Sequence, residues 1–234
     1  HSKILEDILS PDTSFSKGLD IGCGTGVSSE ALSHFCKVVI GIDPSEDMLA
    51  KARPQDNLTY IQGTGESISL ASDTIDIVSF AGSLSYAKSN TLVSELIRVC
   101  RPNARVVVYD FEVQLTEFMN GLGVEVSPRV SNYNHSENFE GQSEFLALDA
   151  HQGELILKLT SEQLAHVLFS SLRRYAALVE SFGSAFSISI LELVTTSSEL
   201  FNSFTLNVAV LKEKLFSPLR ASAVKLPLLK SSFS

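Results

Sequence analysis

Three glycines and one aspartate carry the most specific chemistry in this chain. Gly22, Gly24 and Gly26 alternate along Leu19-Asp20-Ile21-Gly22-Cys23-Gly24-Thr25-Gly26. Glycines at a strand-to-helix turn let backbone approach a ligand closely and aim unsatisfied N–H groups at it. The third glycine permits tight packing of the helix on the strand. A dinucleotide loop carries its last glycine one residue later, where this chain has Val27. The loop therefore suits a ligand lying flat against it better than a pyrophosphate aimed at a helix N-terminus. On their own the glycines are equally compatible with a structural turn. Seventeen residues past Gly26, Asp43 closes the apolar run Val38-Val39-Ile40-Gly41-Ile42. A carboxylate at that strand end can accept both hydroxyls of a ribose. It can also simply complement the dipole of the short helix that Ser45 caps.

Elements that would position these groups are legible by periodicity. Ile4, Leu5, Ile8 and Leu9 form a helical stripe ahead of Pro11. A first strand ends at Ile21, and the helix after the glycines buries Ala31, Leu32, Phe35 and Cys36. Further strands are expected at 58–61, 75–80 and 105–111, with a helix at 91–100. In Arg101-Pro102-Asn103-Ala104 proline suits the second turn position, and asparagine tolerates positive φ at the third. After Phe111 the alternation gives way to a polar stretch with a short strand near 155–157. Thr160 and Gln163 have capping-box spacing and open a helix running to Phe182, which Gly183 can end. Strands near 187–195 and 204–212 complete the pattern. The expected fold is α/β, a Rossmann-like doubly wound sheet. The expected divisions are a cofactor-binding core at 1–111, an inserted substrate-binding cap at 112–171, completion of the core sheet at 172–212 and a basic extension at 213–234.

These motifs, Leu19 to Gly26 and then Gly41-Ile42-Asp43-Pro44-Ser45 with Met48-Leu49, resemble class I S-adenosylmethionine-dependent methyltransferases. The similarity is strongest to the small-molecule branch of ubiquinone-biosynthesis type, known as methyltransferase type 11. It continues through Gly63-Thr64-Gly65-Glu66-Ser67, Asp76-Ile77-Val78 and Glu95 to Val99. It ends at Arg101-Pro102-Asn103-Ala104, where the family usually carries Lys-Pro-Gly-Gly. The resemblance implies a seven-stranded sheet with an antiparallel last strand, and S-adenosyl-L-methionine as cofactor. Asp20 and the loop of Gly22, Cys23, Gly24 and Gly26 would hold the methionine part. Asp43, with Pro44 beside it, would hold the ribose, and Met48 would pack on the adenine. Thr64 stands where the family commonly has an aspartate bonding the adenine amino group; its hydroxyl, or the backbone of Gly65 and Glu66, would take that contact. Ala81 and Ser83, flanking Gly82, would line the sulfonium pocket.

Methyl transfer is an in-line displacement that needs a general base only when the acceptor is protonated at rest. Many relatives place a histidine shortly after the fourth strand, where this chain has Ser85-Tyr86. Tyr86, His135 and His151 are the catalytic candidates, with Tyr133 beside them; a lone histidine equally reads as a surface or hydrogen-bonded residue. Arg129, Arg173 and Arg174 could receive a substrate carboxylate or stand solvated.

No His/Cys/Asp cluster has metal-ligand spacing, so no metal is expected. Over 234 residues the net charge is −9, against a general nucleic-acid surface. From Lys212 onward five basic residues face one acid, a tail that could touch an anionic partner or lie solvated. The chain also lacks the Asn/Asp-Pro-Pro-aromatic run of amino-methylating nucleic-acid enzymes. Three cysteines without ligand spacing, and no secretory or membrane-spanning segment, suggest a cytoplasmic protein without stable membrane association. The start at His1 reads as a tag remnant or a trimmed terminus. The expected function is methyl transfer to a small-molecule metabolite. The alternatives are a non-catalytic cofactor-binding regulator or scaffold, and a protein or RNA methyltransferase using the basic tail.

Overall fold

The computed structural model describes residues 1–10, 12–126, 132–183 and 204–218. Helix α1 (Ser2–Leu9) buries Ile4, Leu5 and Leu9. There follow β1 (Phe15–Ile21), α2 (Val27–Ser33), β2 (Cys36–Asp43), α3 (Glu46–Leu49), β3 (Leu58–Gln62) and β4 (Ile75–Ala81). Then come α4 (Leu84–Ala87), α5 (Asn90–Val99), β5 (Cys100–Val113), α6 (Thr116–Gly121), β6 (Phe145–Leu159), α7 (Ser161–Phe169), α8 (Leu172–Phe182) and β7 (Phe204–Pro218).

The sheet has seven strands in the order β3-β2-β1-β4-β5-β7-β6. The first five run parallel and the last strand is antiparallel. This is the Rossmann-like α/β fold. Ile75, Ile77, Val78 and Phe80 of β4 are all fully buried, as a parallel strand covered on both faces requires. Strand order reverses between β1 and β4, and the crevice beyond their C-terminal ends is where open α/β sheets bind ligands. Asn103 adopts φ +67°, the left-handed conformation expected of it, yet it lies within β5 rather than in a turn before it.

Two compact units divide the chain. The first comprises 1–110, 133–152 and the residues from 212; the second comprises 111–132 and 153–211. The first is built on a core that includes Leu19, Ile42, Phe80, Leu92, Leu96 and Phe139. The second has its own core of Leu115, Met119, Val124, Leu164, Leu168 and Leu178.

Further features differ from the sequence expectation or fall outside the described residues. The sixth strand is Phe145–Leu159, longer than the short run at 155–157. It lies at the sheet edge, where polar residues are tolerated on both faces, so its alternation is weak. The expected helix from 160 to 182 is two. The capping box at Thr160 and Gln163 forms as expected, but the helix breaks at Ser170-Ser171, and Ser171 accepts from the Arg174 N–H. The Arg174 guanidinium then donates to the carbonyls of Val167 and Leu168 at 2.8 and 3.3 Å, satisfying the open end of α7. Gly183 closes α8 at φ +76°. The strand expected near 187–195, Arg129 and the tail beyond 218 lie outside the described residues.

Candidate functional site

Strand β1 ends in a buried carboxylate. Asp20 has no exposed surface and accepts hydrogen bonds from Ser28, Ser29 and Ser79 at 2.6, 2.7 and 2.6 Å. Ser28 and Ser29 sit on the first turn of α2, and Ser79 lies on the neighbouring strand. Asp20 thus ties strand, glycine loop, helix and β4 together from beneath. Burial raises its pKa, the three hydroxyls oppose that rise, and the charge of Asp43 adds to it.

The loop above it turns through three positive φ values, +74°, +55° and +88° at Gly22, Gly24 and Gly26. A Cβ at Gly22 would stand 2.5 Å from that of Ser83, and one at Gly26 would stand 2.2 Å from the Tyr60 hydroxyl. Tyr60 donates to the Gly26 carbonyl at 3.3 Å; burial pushes its hydroxyl up to about 12, so it keeps that proton. Ser83 donates to the Ile21 carbonyl at 2.5 Å. Asp43 braces the loop from β2, accepting from the Gly24 N–H and the Ser45 N–H, both at 2.8 Å.

These elements enclose a cavity of about 540 Å³ within the first unit, a size that suits a small molecule or cofactor. Ile21 and Gly22 form its floor beside Asp43 and Pro44. Gly63, Thr64, Gly65 and Glu66 form one side. Ala81, Gly82, Ser83 and the stretch from Tyr86 to Ser89 form the other. A second, smaller hollow shares Gly82 and is lined by Asp110, Tyr133 and His135.

The structure therefore brings together most of the expected residues, namely Gly22, Asp43, Pro44, Thr64, Gly65, Glu66, Ala81, Ser83 and Tyr86. Asp20 lies beneath the cavity and holds the loop that forms it. Cys23 is buried, and burial with the charges of Asp20 and Asp43 pushes its thiol up to about 12, leaving it a neutral packing group. Gly24 and Gly26 shape the turn without lining the cavity. The Met48 side chain is 44% exposed on α3 and is not in the cavity wall. His135 lines the second hollow, and the backbone of His151 lies in β6, its side chain outside what is described.

Sequence reasoning missed Lys88 and Ser89. Ser89 caps α5 by accepting from the Leu92 N–H, a cap readable from the apolar run after it. Lys88 reaches Glu137 at 2.7 Å and the Asn138 carbonyl at 2.5 Å, partners about fifty residues away that no local pattern announces.

Comparison with known proteins follows the same geometry. Residues 19–108 match the family model described as a methyltransferase domain. A demethylmenaquinone methyltransferase of Corynebacterium kroppenstedtii is 32% identical over 110 residues, 47% of this chain and 48% of that protein. An uncharacterised methyltransferase of Bacillus subtilis, YcgJ, is 29% identical over 140 residues, 55% of this chain and 54% of that one. The chain spans between about a third and about half the length of the first curated relatives it matches, at 35%, 52% and 54%. The crystal structure of YcgJ shares the fold at a TM-score of 0.54 and 18% identity, over 94% of this chain and 100% of that one. A Haemonchus contortus phosphoethanolamine N-methyltransferase, solved with phosphomonomethylethanolamine and S-adenosylhomocysteine, does so at 0.51 and 16%, over 93% and 52%. Residues 19–108 are thus similar to a methyltransferase domain, within a chain that has the Rossmann-like fold.

Proposed function

We propose that the cavity binds S-adenosyl-L-methionine and that the protein transfers its methyl group to a small-molecule acceptor. The observation that carries this reading is the joint placement of Asp43 and the glycine loop around one cavity at the sheet's switch point. The residues fit the cofactor. Side chains at Gly22 and Gly26 would collide with Ser83 and Tyr60, so glycine lets the loop pack closely against both, and a carboxylate faces the cavity beside Gly22. Asp43 spends one hydrogen bond per oxygen on backbone N–H groups, which leaves each oxygen lone-pair capacity for a ribose hydroxyl. Thr64, Gly65 and Glu66, which line one side of the cavity, would make the adenine contacts. When bound, the cofactor supplies a methyl group already activated on a sulfonium. The protein's own work is then to orient the acceptor and exclude water, and orientation of this kind is worth about 7–11 kcal/mol.

Small-molecule acceptors agree with the names of two relatives, a demethylmenaquinone and a phosphoethanolamine methyltransferase, and with the net charge of −9. Tyr86, 73% exposed at the cavity wall, is placed to meet such an acceptor. Calorimetric titration tests the reading. One molecule of S-adenosylmethionine or S-adenosylhomocysteine should bind per chain, and release of S-adenosylhomocysteine should follow addition of a suitable metabolite. No heat of binding with either ligand would overturn it, and binding without turnover across a broad metabolite panel would leave a cofactor-binding regulator instead.

A further inference from the structure

Beside the cavity lies a polar cluster that cofactor binding does not use. The His135 Nδ1 stands 2.9 Å from Asp110 Oδ2. The Tyr133 hydroxyl stands 2.5 Å from that same oxygen and 2.6 Å from the Gly82 carbonyl, so its one proton is shared between two acceptors. The rings of Tyr133 and His135 meet edge to face at 4.6 Å, and Tyr86 lies 4.9 Å from Tyr133. Tyr86 and Gly82 both line the cavity. The segment bearing Tyr133 and His135 is anchored at Asn134 and, further on, at Phe139. The Asn134 N–H donates to Ser85, and Phe139 is buried against Phe80 and Phe145.

We infer that His135, oriented by Asp110 and steadied by Tyr133, is the proton acceptor for a substrate whose methyl-accepting atom is a hydroxyl oxygen. The inference rests on the methyl-transfer reading above. A carboxylate facing Nδ1 holds the hydrogen on that nitrogen and turns the lone pair to Nε2. The His135 side chain is 42% exposed against 15% for Asp110, so the ring can meet a substrate while the carboxylate stays behind it. Asp110 Oδ2 is already engaged by both the Tyr133 hydroxyl and the imidazole, which suits orienting a base rather than receiving a substrate cation. This favours a neutral hydroxyl over an ammonium, and the rings of Tyr86 and Tyr133 favour a flat carrier for it, such as a phenol or enol. In the transfer the hydroxyl O–H bond breaks toward Nε2 while oxygen forms its bond to the methyl carbon. The electron pair of the broken carbon–sulfur bond stays on sulfur. The resulting imidazolium is paired with the Asp110 carboxylate until its proton passes to water. His135 would touch substrate; Asp110 and Tyr133 are positioning residues.

The test uses the full chain, with histidine labelled by nitrogen-15. In the cofactor-free protein at a pH where the ring is neutral, His135, assigned by its disappearance in His135→Gln, should be the Nδ1–H tautomer. A dominant Nε2–H tautomer overturns the inference without reference to activity. Turnover is then read as S-adenosylhomocysteine release on a panel of phenols, enols, alcohols and amines. His135→Gln should lose at least about 100-fold in kcat on hydroxyl acceptors, and Asp110→Asn at least about 10-fold, each binding S-adenosylhomocysteine within twofold of wild type. Retention of activity within threefold by His135→Gln overturns the role of His135. Turnover of amines alone, or of no hydroxyl compound, overturns the acceptor class. Wild-type protein that fails to bind S-adenosylmethionine overturns the methyl-transfer reading itself, whereas normal binding with an unaffected His135→Gln overturns only this inference.

Discussion

The two sides of the cavity are held in different ways. On the side proposed for the cofactor, most contacts fall within β1, α2 and β2: a buried carboxylate with two serine donors from α2 and one, Ser79, from β4, a second carboxylate holding two backbone N–H groups, and three glycines at positive φ. On the side proposed for the acceptor, the stretch from Ala81 to Ser89 is braced from behind by residues of 133–139. Those contacts span about fifty residues of chain, as in Tyr133 to Gly82 and Lys88 to Glu137. The side proposed for the cofactor is thus built mainly within one βαβ unit, and the other side is an assembly of separate segments. A family can keep the first and vary the second, which is how one fold serves many chemistries.

The sharpest way to break this comparison is to remove Asp20. Asp20→Ala leaves three buried serine hydroxyls without their acceptor, and hydrogen bonds to a charged group contribute about 1.5–3 kcal/mol each without adding fully. A loss of at least ~3 kcal/mol is expected, read as a fall in Tm of roughly 10 °C by calorimetry, with loss of cofactor binding. A fall under about 2 °C would show that the loop is not held from beneath.

Asp43 comes next, because on the proposed reading it serves the ligand as well as the loop. Asp43→Asn keeps the shape but offers one acceptor oxygen in place of two. S-adenosylmethionine affinity should fall by about 30-fold, equivalent to ~2 kcal/mol, with a fall in Tm smaller than that of Asp20→Ala, since one of the two backbone N–H groups loses its acceptor. An equal loss of stability and affinity would mean that Asp43 serves the loop alone.

That contrast also explains what was legible beforehand. The glycine loop, Asp43 at its strand end, the Ser45 cap, the Thr160–Gln163 capping box and the positive φ of Asn103 all follow from residues within four positions of one another or within one βαβ unit. Local sterics and hydrogen bonding decide such features, and they can be read in a linear sequence. The contacts of Asp20, Lys88 and His135 were not legible in the same way. Asp20 lies near the end of β1, yet the hydroxyls that donate to it arrive from α2 and β4, so its place beneath the cavity depends on packing. Met48 shows the converse: its spacing on α3 is readable, but a four-residue helix with no buried residue does not determine where the side chain points. The break at Ser170-Ser171 was hidden because apolar periodicity continues across it, and only the Arg174 cap reveals that α7 ends there.

Lys88 tests the acceptor side. Glu137 has its pKa held below the ordinary carboxylate range, chiefly by the Lys88 hydrogen bond. Lys88→Met removes that contact while keeping an apolar stem over Phe139. With about 1 kcal/mol at stake, the acceptor KM should rise roughly fivefold and the cofactor Kd should stay within twofold. A change confined to cofactor Kd would reverse the assignment of the two sides.

The smallest expected effect comes from Glu95, which extends the same logic to the edge of the cofactor side. Glu95 pairs with Arg98 through two contacts of 2.7 Å and accepts from the Ile68 N–H at 2.8 Å. Arg98 also donates to the carbonyls of Ile68 and Leu70, so the pair clamps the chain just after the Thr64–Glu66 wall. The Arg98 hydrogen bond lowers the Glu95 pKa from its usual 4.5, the Ile68 N–H assists, and partial burial opposes. A folded-state value below the unfolded one means that this contribution is complete above about pH 4.5 and is lost as pH falls through the lowered folded value. Glu95→Gln should therefore lose about 1 kcal/mol at neutral pH, and its stability should approach that of wild type in acid. Urea unfolding at pH 7 and at pH 3 reads both numbers. Because the clamp adjoins the cofactor wall, a weaker cofactor Kd with an unchanged acceptor KM is expected. A larger shift in acceptor KM would show that the two sides of the cavity are mechanically one.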